Sequence, residues 1–297
     1  MQQKKIHLIG YASGVAGVDS HAGDGPLVMQ KSLALQALQN HGYSFQWGAM
    51  IHPKEQSNLQ PSDALTDVIT QVCSDLATAV STLTTQQAPF TVIGGDHTAA
   101  IGTWSGVYHA MHEQGDIGLI WIDAHMDSHT PETSESGRIH GMPVACLLGY
   151  GNSSLTSILQ QAPKIKPENI CFIGVRSYEK GEAEFLAKLN VRIYFMDEVK
   201  KRGLVTVLKE AVKQVSAHTI GYGLSIDLDA IDPAEAPGVD VPEPDGIHAA
   251  DLIQGLTEIA ADTKLIATEI VEFDPSRDKN KMTENIVASL LEAIHGK

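Results

Sequence analysis

Short apolar, β-branched runs alternate along the chain with longer segments in which apolar residues recur at helical spacing. The runs at 6–12, 44–50, 90–95, 117–123, 170–176, 192–196, 219–227 and 265–273 predict strands. Between them, 63–84, 98–112, 180–189, 197–217, 249–261 and 282–294 predict helices. Strands joined by crossover helices imply an α/β protein whose mainly parallel sheet is covered on both faces. No repeat, low-complexity tract or linker divides the sequence, so residues 1–297 read as a single domain. Two connections, 126–139 and 229–247, are longer than usual, and long ordered loops are often functional. Each follows directly on an acidic strand end.

Composition narrows the function without naming it. With 43% hydrophobic residues in 297, the chain can bury a large core. Its net charge of −15 and the absence of any basic run longer than Lys200-Lys201-Arg202 argue against a nucleic-acid partner. The acidity itself reads as solubility. No stretch approaches the ~20 apolar residues that span a membrane, and the N-terminus lacks a long apolar signal region. A cytoplasmic protein with no membrane partner is expected. Cys73, Cys146 and Cys171 are widely spaced and odd in number, which suggests buried hydrophobes rather than a disulfide framework or a metal pattern.

Three polar clusters stand where predicted strands end. One is Gly94-Gly95-Asp96-His97, the second Asp123-Ala124-His125-Met126-Asp127, and the third Asp227-Leu228-Asp229. If the strands continue through them, alternation puts Asp123 and His125 on one side, and likewise Asp227 and Asp229. A carboxylate at an apolar sheet end costs several kcal/mol unless a cation compensates, and none of the clusters contains Lys or Arg. Four aspartates (Asp123, Asp127, Asp227, Asp229) would balance two divalent ions. With the imidazoles of His97 and His125, they form an oxygen-rich set that suits Mn2+ better than a thiolate-seeking metal. Taken singly, His97 is more often a helix-start or core histidine than a ligand, and a lone Asp-x-Asp is usually a turn or helix cap. Three such clusters at strand ends favour the metal reading.

These motifs resemble those of the arginase/agmatinase (ureohydrolase) family. The matching residues are Gly94-Gly95-Asp96-His97, Asp123-Ala124-His125-Met126-Asp127 and Ser225-Ile226-Asp227-Leu228-Asp229 with Asp232-Pro233. Glu272 within Glu269-Ile270-Val271-Glu272-Phe273-Asp274-Pro275 completes them. The resemblance runs from the first strand to the last helix. It implies a three-layer αβα fold of about eight strands, two Mn2+ per subunit, and assembly as a homotrimer or homohexamer. It also implies hydrolysis of L-arginine to L-ornithine and urea by a metal-bridging hydroxide. One ion would be held by His97, Asp123, Asp127 and Asp227, the other by His125, Asp123, Asp227 and Asp229. Asp127 would pass a proton to the leaving amine, His140 would shuttle protons, and Glu272 would sit under the guanidinium.

The substrate loop 128–141 resembles that of arginases. Ser134 and Ser136 match hydroxyls that hold an α-carboxylate, and Glu179 and Glu182 fall where acids receive the α-ammonium. The alternative for these two is that they are simply acids favoured by the dipole at a helix N-terminus. The loop also departs from the pattern, with His129 and Arg138 at two positions where asparagine is usual. Histidine there can still donate to a carboxylate. Alternatives inside the family are an agmatinase, guanidinobutyrase or formimidoylglutamase. Outside it stand a metal-dependent deacetylase with one zinc and a non-enzymatic metal-binding homologue. The paired Asp227 and Asp229 favour two metals, and His140 and Glu272 favour catalysis.

Overall fold

The middle strands carry nearly unbroken apolar sequence because helices cover both of their faces, and the structure shows how. The computed structural model describes residues 4–54 and 61–296, and all eight predicted strands form. They are β1 (Lys4–Tyr11), β2 (Tyr43–Ile51), β3 (Phe90–Gly94), β4 (Ile117–Ile122), β5 (Ile170–Val175), β6 (Arg192–Phe195), β7 (Gly221–Asp227) and β8 (Leu265–Val271). One sheet in the order β2-β1-β3-β8-β7-β4-β5-β6 contains them all, and every neighbouring pair is parallel. Every residue of β3, β4 and β5 is buried, whereas the edge strands β2 and β6 are partly exposed.

The helices are α1 (Gly25–Gln30), α2 (Leu33–Leu38), α3 (Pro61–Thr85), α4 (Ala99–Met111), α5 (Pro143–Leu147), α6 (Ser153–Thr156), α7 (Lys180–Lys188), α8 (Met196–Arg202), α9 (Leu204–Val215), α10 (Ala249–Ile259) and α11 (Met282–His295). Four of these, α1, α2, α5 and α6, went unpredicted because six residues or fewer cannot display a helical period. The single helix expected over 197–217 is in fact two, α8 and α9. Gly203 separates them at φ +80, a left-handed value that no helix interior takes and that glycine adopts freely.

On one face of the sheet, Leu208 of α9, Leu252 of α10 and Leu290 of α11 pack with Ile120, Leu224 and Ile226. On the other, Leu76 of α3 and Trp104 of α4 pack with Val92, Leu119 and Trp121. The three layers are therefore helices, sheet and helices. Cys73, Cys146 and Cys171 are buried free thiols in these layers. Among the described residues, no helix is long and apolar enough to cross a membrane.

Topology decides where chemistry can occur. The four strands that end in the acidic motifs or Glu272, in the order β3-β8-β7-β4, are neighbours at the sheet centre. All run the same way, so their carboxyl ends open into one crevice. Gly95 closes β3 tightly: a Cβ there would lie 2.0 Å from the Ser13 carbonyl. Its own carbonyl takes the Glu272 N–H at 2.7 Å, which joins the end of β3 to that of β8.

Candidate metal centre and substrate pocket

The aspartate side chains converge, but not through pleat alternation. β4 stops at Ile122, and Asp127 lies beyond it in the left-handed region at φ +45. β7 stops at Asp227, and a 3-10 turn over Leu228–Ala230 swings Asp229 back toward its neighbour. Asp227 Oδ1 caps that turn by accepting the Asp229 N–H at 2.9 Å. Asp227 itself stays extended, but the turn it caps takes Asp229 out of the pleat, so the expected strand alternation does not reach Asp229.

His97 is aligned from three sides. Its ring stacks on Trp121 with centroids 4.1 Å apart and planes 10° from parallel. Its backbone N–H donates to Glu272 Oε1 at 2.8 Å. Ser225 donates its hydroxyl to Glu269 Oε1 at 2.7 Å, so its oxygen accepts from His97 Nε2 at 2.9 Å. The proton is thereby assigned to Nε2, and Nδ1 presents a lone pair. Asp96 sets up the turn before α4: its carboxylate accepts from the Thr98 N–H, the Thr98 hydroxyl and the Ala16 N–H.

That lone pair faces carboxylate oxygens. His97 Nδ1 lies 3.0 Å from Asp127 Oδ2, 3.0 Å from Asp227 Oδ2 and 3.3 Å from Asp123 Oδ2. Among the described residues, no hydrogen bond satisfies this buried nitrogen. A second group lies alongside, with His125 Nδ1 at 2.9 Å from Asp229 Oδ2 and 3.5 Å from Asp123 Oδ1. Asp123 thus offers one oxygen to each group. Burial, reinforced by the charges of Asp229 and Asp123, pushes Asp227 far above the usual carboxylate range, and burial raises Asp229 also. Converging acceptors and an orphaned imidazole nitrogen both call for positive charge. The donor set, carboxylate oxygen with some imidazole and no thiolate, fits two hard divalent ions.

Above this floor is a cavity of about 410 Å³, room enough for a free amino acid. It is lined by every candidate substrate residue named from the sequence: His129, Ser134, Ser136, Glu179 and Glu182, with His140 and Glu272. Glu272 projects from the residue after β8, itself in the left-handed region at φ +64. Its Oε1 faces His140 Nδ1 at 3.3 Å, while buried Oε2 has no partner. Burial pushes Glu272 up to about 7, with His140 opposing. Burial alone would lower His140, but the hydrogen bond and charge of Glu272 outweigh it and raise the imidazole to about 9.

The Ser134 hydroxyl accepts from the Gly137 N–H and that of Ser136 from the Arg138 N–H, which leaves both O–H groups free to donate into the cavity. His129 is more occupied than expected, with Nε2 on Glu179 Oε2 at 2.9 Å and Nδ1 on Thr133 Oγ1 at 3.2 Å. Glu179 and Glu182 form the capping box of α7, the helix-start role foreseen for them, and both also line the pocket.

Sequence reasoning missed several supporting residues. Trp121 steadies both His97, by stacking, and Asp123, by donating its indole N–H at 2.7 Å. Glu269, three residues before Glu272 in the quoted motif, receives Trp104 and Ser225. Arg176 donates to the carbonyls of Gly174, Ala230, Asp229, Pro244 and Glu243, tying the 229–247 loop to the end of β5. Glu243 also lines the cavity. An unpaired Glu in a long loop was the one available signal for it.

Fold and site together are those of a metal-dependent hydrolase. A sequence model described as the arginase family matches residues 4–296, and the chain belongs to that family. It is 34% identical to an arginase of Bacillus caldovelox over 99% of this chain and 98% of that protein. The crystal structure of the Bacillus caldovelox arginase superposes with a TM-score of 0.91 at 33% identity, covering 99% of each chain. An Entamoeba histolytica arginase in complex with L-ornithine superposes at 0.88 with 28% identity over both full chains.

Proposed function

We propose that the protein hydrolyses L-arginine to L-ornithine and urea with two Mn2+ per subunit. The observation that carries this reading is the convergence of Asp123, Asp127 and Asp227 on the lone pair of His97 Nδ1, below a cavity with an unpartnered Glu272 oxygen. Support comes also from the arginases described above, one of them crystallised with L-ornithine. His97, Asp123, Asp127 and Asp227 would hold one ion; His125, Asp123, Asp227 and Asp229 the other. Such a pair, when bound, supplies an acidified and oriented water as nucleophile.

The chain's own residues account for the remaining steps. Glu272 Oε2 accepts a guanidinium N–H and turns the carbon of that group toward the floor, where opposite charge in a closed pocket acts with little screening. Hydrolysis breaks the bond between that carbon and the δ-nitrogen. Asp127 carries the water's proton to the departing amine, and His140 exchanges protons with solvent. Ser134 and Ser136 donate to the α-carboxylate, with His129 bracing the loop against Glu179. The acidic wall of Glu179, Glu182 and Glu243 faces the α-ammonium. The same reading includes a cytoplasmic homotrimer or homohexamer, resting on family membership.

Urea release from manganese-loaded protein tests the proposal with arginine, agmatine, guanidinobutyrate and formimidoylglutamate side by side. Arginine should be preferred, and metal analysis should find about two manganese ions per chain. Preference for another of the four would remove the arginine assignment and leave the amidine-hydrolase reading standing. One tightly bound zinc per chain with full activity would remove the manganese pair.

A further inference from the structure

The side chains that border the substrate cavity are almost all polar or charged. Among the described residues, Val18 and Val241 are the only apolar ones there. A substrate with a guanidinium at one end and a carboxylate and an ammonium at the other still has methylenes between them. Carboxylates and imidazoles offer those methylenes nothing; only apolar surface gains from covering them.

The two valines come from distant parts of the chain, and one carboxylate joins them. Asp240, the residue before Val241, accepts the Val18 N–H on Oδ2 at 2.8 Å. Its side chain is fully buried, and one of its oxygens lies within 4.8 Å of both a Glu272 oxygen and a His140 ring nitrogen. The join is therefore made beside the carboxylate assigned to the guanidinium, where the methylene chain must begin.

Arg277 locks this join. Its Nη2 lies 3.0 Å from Asp19 Oδ2 and 3.6 Å from Asp240 Oδ1, and its Nε donates to Asp274 Oδ2 at 3.0 Å. Three segments are drawn together: the loop bearing Val18, the stretch bearing Val241, and the residue two beyond Glu272. The side chains of Asp240 and Asp274 are 0% exposed, so loss of the guanidinium would strand buried charge and loosen the three segments.

We infer that Val18 and Val241, joined by Asp240 and held by Arg277, form the apolar surface on which the substrate's methylene chain lies, and that this surface selects chain length. The inference rests on the reading of the site as one for arginine. Arg277 is a positioning residue: it acts through Asp19 and Asp240 and does not border the cavity itself.

The test compares L-arginine with L-homoarginine, one methylene longer, on manganese-loaded enzyme. Val18→Ala and Val241→Ala should each raise KM for arginine about 3- to 10-fold with kcat within about twofold. Both should also narrow the preference for arginine over homoarginine at least about threefold, because the surface is cut back. Val18→Thr and Val241→Thr keep the shape and add a hydroxyl, so both substrates should weaken alike and the preference should stay. Calorimetric binding of L-ornithine, which carries the same methylenes, should weaken about 3- to 10-fold in the valine variants with metal content unchanged. Arg277→Met should reproduce the rise in KM, and Arg277→Lys should restore part of the loss. If the valine variants change neither KM nor ornithine affinity, or if they lose metal, this inference is overturned while the arginine reading stands. A wild-type KM in Arg277→Met would overturn the positioning role. If the wild type releases no urea from arginine, the underlying reading itself has failed.

Discussion

The Ser225 hydroxyl lies 2.9 Å from His97 Nε2, and this contact decides which ring nitrogen faces the carboxylates. Ser225 can accept because it gives its own proton to Glu269. Partners behind a ligand typically contribute 10- to 100-fold in metal affinity. Ser225→Ala should therefore weaken manganese binding by about that factor in a calorimetric titration. Equal affinity in mutant and wild type would show that stacking on Trp121 suffices to orient the ring.

His140 faces Glu272 across 3.3 Å and lines the cavity without belonging to either group of converging ligands. General acid–base groups typically contribute roughly 10²–10⁴-fold, and solvent can replace part of that. His140→Ala should lower kcat at least ~10-fold, retain its metals and recover part of the rate with added imidazole. Loss of metal in this variant would instead identify His140 as a ligand or structural support.

Ser134 and Ser136 each accept a loop N–H and keep a proton to donate. Each Ser→Ala change removes one donor to a carboxylate, worth roughly 1.5–3 kcal/mol, or about one to two decades in kcat/KM. The loss should appear with arginine and not with agmatine, which has no carboxylate. Parallel losses on the two substrates would mean that the hydroxyls only shape the loop.

Glu182 supplies a pH dependence whose sign can be worked out. Burial favours its protonated form, raising it to about 8 from an ordinary value near ~4.3. Between those values the folded chain holds a proton that the unfolded chain has released, so folding stability falls as pH rises through that window. Glu182→Gln keeps an oxygen for the Glu179 N–H and cannot ionise. Its melting temperature should decline by a few degrees less than that of wild type between about pH 5 and 8. Matching slopes would show that the Glu182 carboxyl does not titrate in that range.

The sequence revealed the sheet because each strand is a short apolar run set apart by crossover segments, a signal that needs no tertiary knowledge. The acidic motifs were legible for a related reason: His97, Asp123 and Asp227 sit where apolar runs stop, and unpaired acids there need a cation. Harder to see was anything set by a single backbone torsion or a distant partner. Gly203 splits an amphipathic stretch that otherwise has unbroken helical period. Asp229 reaches its position through a 3-10 turn, which leaves no periodic trace. Trp121, Ser225 and Glu269 are spaced like ordinary strand residues, and only the packing of β4, β7 and β8 side by side brings them to the metal floor.

Arg176 gathers main-chain carbonyls from the turn bearing Asp229 and from the stretch bearing Glu243, and it touches neither of those side chains. The anchoring is thus blind to sequence within the loop it secures. Such an arrangement is modular: the reactive machinery is inherited with the strand ends, while the surface that inspects the substrate can be rewritten residue by residue around a fixed anchor. Directed evolution toward new guanidines would accordingly begin by varying 238–243 with Arg176 held constant.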